Sequence, residues 1–184
     1  MNQTNLYYKR RQMIAACDKK GNILGPIERW EAHKKGILHR AFSVVMRYKN
    51  LYIVQFRKHP VFDGVLDVTS SSHQIYNEKT NILQDTIEAS ITTLLREWKV
   101  TESDFIGKPE IKGNVYYKAK DKYSIYTEHE IDDVVEVKVR RIPEPNLEYA
   151  YGSSLMTKEE LIKNSRVNSI LAPWVKAMMR KGVL

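Results

Sequence analysis

Residues 86–98 carry the pattern that most limits how this chain can fold. Ile87, Ile91, Leu94, Leu95 and Trp98 recur at the spacing of one helical face. Asp85 stands where an N-cap belongs, with Glu88 three residues on, as in a capping box. A helix over Thr86–Trp98 follows, and strand patterns flank it on both sides. Phe42 to Tyr48 and Leu51 to Arg57 read as strands joined by a Lys49-Asn50 hairpin turn. Residues 66–72 favour β structure but turn polar at their end. Residues 114–119 and 123–139 read as long strands, with Val135, Val137 and Val139 alternating against Val134, Glu136 and Lys138.

The ends of the chain complete the pattern. Residues 7–17 read as a first strand closed by a turn at 18–22, and residues 26–36 hold a short helical turn at 27–33. Helices follow at 157–164, where Glu159 and Glu160 suit the first turn, and at 173–180. Strands, one isolated amphipathic helix, more strands and terminal helices predict an α+β class, a mixed α/β sandwich. No repeat and no linker rich in Pro, Gly or Ser interrupts the 184 residues, so a single domain over 1–184 is expected. Ser90, Thr93 and Glu97 line the flank of the helical face, where a cleft fits beside the core.

Charge narrows the partners. Lys and Arg number 30 against 22 Asp and Glu, a net +8 that favours an anion: nucleic acid, a membrane surface or a phosphorylated small molecule. No apolar run is long enough for a membrane span, and the polar, basic N-terminus predicts no secretory signal. Cys17 is the only cysteine, which excludes an internal disulfide or a cysteine zinc cluster and predicts a reducing, cytoplasmic setting. The basic tracts Lys9-Arg10-Arg11 and Lys138-Val139-Arg140-Arg141 are the case for nucleic acid. No helix-turn-helix or stacking platform accompanies them, so nucleic acid is not the expected partner. The oligomeric state is not legible.

Five histidines, His33, His39, His59, His73 and His129, are candidate ligands. Glu128 and Glu130 lie two apart on a predicted strand and so share a face, with His129 turned away. Carboxylates with imidazoles suit a divalent ion of the Mn, Fe, Co or Zn type. On these residues alone, a solvated strand remains the ordinary reading of a Glu-x-Glu pair.

The segment Arg96-Glu97-Trp98-Lys99-Val100, closing a helix after a strand pair, resembles the Nudix helix, whose glutamates hold Mg²⁺ against a diphosphate. Thr92-Thr93 stand where that motif has Arg-Glu, and Arg96-Glu97 where it has Glu-Glu. With Glu97 alone surviving, routine Nudix pyrophosphohydrolysis is not expected.

A narrower resemblance covers roughly residues 27–178. Ala32-His33-Lys34-Lys35-Gly36-Ile37-Leu38-His39-Arg40-Ala41-Phe42-Ser43 is similar to the signature of the type I isopentenyl-diphosphate isomerases. That family has a Nudix fold and interconverts isopentenyl and dimethylallyl diphosphate by protonating and deprotonating an alkene. Further short motifs match in the same order: Phe62-Asp63-Gly64-Val65-Leu66, Thr69-Ser70-Ser71-Ser72-His73, Tyr117-Lys118-Ala119, Glu128-His129-Glu130 and Ala172-Pro173-Trp174.

The resemblance implies a Mn²⁺ or Zn²⁺ site of His33, His39, His73, Glu128 and Glu130, with Glu97 helping to hold Mg²⁺ on the diphosphate of a small isoprenoid substrate. Arg29, Arg57 and Lys58 match phosphate-binding cations, and guanidinium forks suit phosphate oxygens. The family's helix arginine falls at Thr93, so one such contact is expected to be lost. Glu130 and Tyr117 match the proton-moving pair on one face of the alkene, and Trp174 would offer a π face to a carbocation. His59 and His129 have no counterpart and are expected at the surface.

The main departure is Ser71, which stands where the family has a catalytic cysteine. A thiol, with a pKa of about 8.5, is easily tuned to exchange protons near neutrality. A serine hydroxyl needs a base beside it, and neighbouring serines supply none. The expected activity is therefore isomerisation of an isoprenoid diphosphate, weakened at one arm. Diphosphate hydrolysis, modification of another prenyl diphosphate, or diphosphate binding with little turnover are the alternatives.

Overall fold

In a computed structural model of the chain, residues 3–184 are described. Helix α1 (Gln3–Lys9) leads into strand β1 (Met13–Cys17). The expected strand at 7–17 is therefore half wrong. Tyr7 and Tyr8 belong to a helix that lays its rings against Tyr149 and Trp30, a tertiary contact that local β propensity does not register. Strand β2 (Ile23–Glu28) pairs antiparallel with β1, and helix α2 (Arg29–Lys35) follows, two residues later than the 27–33 expectation.

Strands β3 (His39–Tyr48) and β4 (Leu51–Arg57) form the expected hairpin. Short strands β5 (Leu66–Asp67) and β6 (Ser70–Ser72) divide the β-favouring run between two partners, β4 and β3. A small separate ribbon, β7 (Tyr76–Asn77) with β8 (Ile82–Leu83), precedes helix α3 (Thr86–Trp98). Asp85 caps α3 as expected, its Oδ1 accepting from the amides of Ile87 at 2.8 Å and Glu88 at 3.1 Å.

Two long strands come next, β9 (Glu110–Lys120) and β10 (Thr127–Lys138). Strand β11 (Ala150–Met156) pairs with β4, and helices α4 (Lys158–Lys163), α5 (Ser165–Ile170) and α6 (Pro173–Lys181) close the chain.

The main sheet runs β11-β4-β3-β1-β2, and β10 joins parallel to β3 with β9 beyond it. Alternation along β3 and β10 divides the core between the two faces. Phe42, Val44, Met46, Val135 and Val137 face α3 through Leu94 and Trp98. Val45 and Val134 face the other way, into a cluster with Trp174, Val175 and Met178 of α6. Helices cover both faces, which is the α+β sandwich that the order of elements predicts. On α3 the buried face is Ala89, Ser90, Thr93, Leu94, Glu97 and Trp98, while Leu95 is 53% exposed. The helix is rotated toward its polar flank, where Glu97 lines the cleft described next.

Candidate active site

Strands β6 and β10 both pair with β3, β9 pairs with β10, and these registers assemble the site. His39, the first residue of β3, is the cross-strand partner of Glu130 on β10, and Glu130 is the partner of Tyr117 on β9. Four residues along, Ser43 is the partner of Ser71 on β6. His33 comes from α2. Gly36 ends that helix in the left-handed region, φ 62°, and its amide caps the carbonyls of Ala32 and His33. The sharp turn returns the chain into β3 and sets the His33 ring 4.9 Å from His39 and 5.1 Å from His73.

His33, His39, His73, Glu128 and Glu130 thus converge, with one ligand atom from each within 4.8 Å of all the others. His33 and His39 donate Nδ1–H to the carbonyls of Arg29, at 2.6 Å, and Ile37, at 2.7 Å. That fixes the tautomer and turns each Nε2 inward, as the outer contacts of metal-binding imidazoles do. Inside, His39 Nε2 lies 3.2 Å from His73 Nε2 and 3.3 Å from Glu130 Oε1, while His73 Nε2 lies 2.9 Å from that same oxygen. Glu128 Oε2 is 2.9 Å from His33 Nε2 yet makes no hydrogen bond.

Burial alone would push the His33 imidazole down, but the Glu128 charge beside it overturns this and holds it up at about 9. His73, buried beside His39 and His33, is pushed well down. Keeping two carboxylates dry costs several kcal/mol each unless they are neutralised. Inward-turned imidazole Nε2 atoms, a carboxylate oxygen without a hydrogen-bond partner and a mixed N/O donor set fit a divalent first-row cation, which would displace the proton from His33 on binding. These five residues could hold a metal ion.

Tyr117 donates its hydroxyl to Glu130 Oε2, and burial together with the Glu130 charge pushes that phenol well above its ordinary range. The Trp174 ring, 1% exposed, lies 5.8 Å from Tyr117, and its indole N–H donates to Asp67 Oδ1 at 2.6 Å. Ser71 borders the cleft beside His73. Its Oγ is 2.9 Å from Ser43 Oγ and 3.2 Å from Asp67 Oδ1. Ser43 Oγ in turn is 2.8 Å from Asp132 Oδ2. The absence of a base beside Ser71 in sequence is thus corrected by the fold. Cys17 is buried on β1 and is not among the residues lining the cleft.

The cleft outside the cluster is cationic. Arg29 is buried, stacks 4.6 Å over Trp30 and donates to Gln12 at 2.6 Å. Arg57 borders the cleft but is tied to Asp67 at 3.2 Å and lies over Trp174. Lys58 donates to the Leu147 carbonyl at 3.0 Å. Glu97 is buried and pairs with Arg96 at 2.6 Å.

Arg96, which the sequence marks only as a departure from the Nudix motif, joins the cleft. It reaches over Thr93, contacts its hydroxyl at 3.3 Å and lines the cleft, so a guanidinium still stands above the position of the missing helix arginine. Its place three residues after Thr93, one turn on, was the available signal. Arg29 and Arg96 each keep a buried Nε without a hydrogen-bond partner. His59, expected at the surface, is half-buried in the cleft wall, edge-on to Tyr8 at 4.6 Å. His129 stays outside the cluster, against Tyr116 and the Gly36 carbonyl. Among the described residues, no helix is long and apolar enough to cross a membrane.

No protein-family model matches the chain. Isopentenyl-diphosphate Delta-isomerase 1 of Mus musculus is 28% identical over 202 residues, covering 96% of this chain and 86% of that protein. The protein of the same name from Bos taurus is 31% identical over 170 residues, covering 82% of this chain and 71% of its own length. The chain belongs to the isopentenyl-diphosphate isomerase family. The kinship accords with the motifs read along the sequence and with the α+β Nudix fold they implied. Among solved structures, DR0079 from Deinococcus radiodurans superposes with a TM-score of 0.64 at 15% identity, covering 94% of this chain and 97% of that one, and so shares the fold.

Proposed function

We propose that this protein is a metal-dependent isomerase of a small isoprenoid diphosphate, of the kind that interconverts isopentenyl and dimethylallyl diphosphate. The observation that carries the reading is the His/Glu cluster with the Tyr117–Glu130 pair at its edge and Trp174 behind it. His33, His39, His73, Glu128 and Glu130 would hold Mn²⁺ or Zn²⁺, and Glu97 would share Mg²⁺ with the substrate diphosphate. Bound metal would neutralise the buried carboxylates and supply charge stabilisation at the site.

The chain's own residues divide the rest. Arg29 and Arg96, with unpaired Nε–H groups, are suited to bind the diphosphate, with Lys58 and the buried Arg57 also lining the cleft. The Tyr117–Glu130 pair moves a proton on one face of the alkene. The Trp174 ring stabilises the tertiary cation that results, and its buried setting excludes water that would trap it. With Tyr7 and Tyr8 seated over the arginines, the remaining cavity is about 20 Å³, room for one water, so substrate entry requires α1 to move aside.

Isomerisation is favoured over hydrolysis by α3, where Thr92, Thr93 and Arg96 stand at three of the positions that a Nudix hydrolase uses for its motif and Glu97 is the carboxylate left at the cleft. Incubation of metal-loaded protein with isopentenyl diphosphate tests the reading. Dimethylallyl diphosphate forms, and Glu130→Gln abolishes it; release of phosphate without isomer would select hydrolysis instead.

A further inference from the structure

Four oxygens stand in a row beside Trp174: Asp132 Oδ2, Ser43 Oγ, Ser71 Oγ and Asp67 Oδ1, separated by 2.8, 2.9 and 3.2 Å. Ser43 Oγ donates to Asp132 Oδ2 and the Ser71 hydroxyl donates to Asp67 Oδ1, so Ser71 shares its proton with a buried carboxylate. Ser71 is the member that borders the cleft.

We propose that Asp67 works through Ser71 as its proton acceptor and donor, supplying the arm of the reaction that a serine lacks on its own. This rests on the reading that the site isomerises an isoprenoid diphosphate. In the deprotonation step, Ser71 Oγ takes a proton from the carbon adjacent to the cationic centre. The C–H electron pair becomes the new C=C bond, and the original Ser71 hydroxyl proton passes to Asp67 Oδ1. The Tyr117–Glu130 side has supplied one proton to the other end of the alkene, so the protein gains one and loses one, and solvent exchange resets both ends. Run backwards, Asp67 returns the proton to Ser71.

The surroundings suit Asp67 to this task. It is fully buried, on β5, four residues before Ser71. Arg57 from β4 holds Oδ2 at 3.2 Å, and the Trp174 indole from α6 holds Oδ1 at 2.6 Å, which aims the carboxyl at Ser71. Burial raises its pKa, and Arg57, Trp174 and Ser71 partly offset that, leaving it at about 6, where a carboxyl both accepts and releases a proton near neutrality. Glu97 on α3 adds a further small upward push. Asp67 is a positioning and relay residue, since Ser71 alone meets the substrate.

The test is a double-substitution cycle read by isomer formation in the metal-loaded protein. Asp67→Asn lowers kcat by about 10²-fold or more in the otherwise unchanged protein, the range of a lost acid–base partner. In a Ser71→Cys background, where the thiol exchanges its own proton, the same substitution costs less than about tenfold. Activity of the doubly substituted protein also proves that Asn at this position permits folding. Equal losses in both backgrounds would reduce Asp67 to a structural part and overturn the relay while leaving the isomerase reading intact. Activity confined to the Ser71→Cys protein would overturn it as well. No isomer from either the unchanged or the Ser71→Cys protein would overturn the parent reading and the relay together.

Discussion

Tyr117 and Glu130 are cross-strand partners on β9 and β10, and the phenol donates to the same carboxylate whose other oxygen faces His39 and His73. Register alone therefore couples the proposed proton-moving pair to the candidate metal cluster. Tyr117→Phe separates the two. It is expected to lower kcat by about 10²–10⁴-fold, the range of a lost acid–base group. Removing the hydroxyl also leaves a buried Glu130 oxygen unpaired, which costs about 1–3 kcal/mol of stability. Metal content, measured by elemental analysis, stays at the level of the unchanged protein.

Metal occupancy should stabilise the fold, because the five candidate ligands, four of them buried and His73 half-buried, come from α2, β3, the segment after β6 and β10. Saturation to about 100 times Kd adds about 2.7 kcal/mol. For a chain of this size that raises Tm by about 5–10 °C. Thermal melts of chelated protein with and without added Mn²⁺ or Zn²⁺ read the shift directly. Substitution of His33 by Ala is expected to abolish it.

Arg96 and Arg29 should determine diphosphate affinity. Arg96→Ala is expected to raise KM and to weaken inhibition by inorganic pyrophosphate by roughly 10-fold or more, the scale of one lost charge-assisted hydrogen bond. Arg96→Lys recovers only part of this, since a point charge replaces the guanidinium fork. Lys58→Ala, whose ammonium already serves the Leu147 carbonyl, has a smaller effect.

Opening of the cleft has its own signature. Trp30 donates its indole N–H to the Tyr8 carbonyl at 2.8 Å, so moving α1 aside breaks that bond. Addition of pyrophosphate with Mg²⁺ is expected to change tryptophan fluorescence, and Trp30→Phe removes the change. Trp98 and Trp174 are buried away from α1 and provide the constant background.

Much of this architecture was legible in the chain. The β3–β4 hairpin and α3 carry strong periodicity and proper turn and cap residues, and both formed at the expected positions. The five expected metal ligands converge, because short motifs in fixed order specify residues that only the sheet register brings together. What escaped was set by contacts between distant segments. Tyr7 and Tyr8 read as β-formers, but packing on Trp30 and Tyr149 holds them in a helix. Strands β2 and β11 lie at sheet edges, where partner pairing rather than local pattern defines them. Asp67 carried no signal of its own in the β-favouring run, and Arg96 stood only as a departure from the Nudix motif. Each acquires a role only through a partner on another element, Arg57 and Trp174 for the first and the cleft under Tyr7 for the second.

The proposed function requires that Ser71, in place of a cysteine, still permits alkene isomerisation. Its most direct test is a time course of metal-reconstituted protein with isopentenyl diphosphate, followed by proton and phosphorus NMR so that isomer and hydrolysis products are seen together. Steady growth of dimethylallyl diphosphate with the diphosphate intact is the predicted result. Unchanged substrate, or phosphate and pyrophosphate with no isomer, would contradict it.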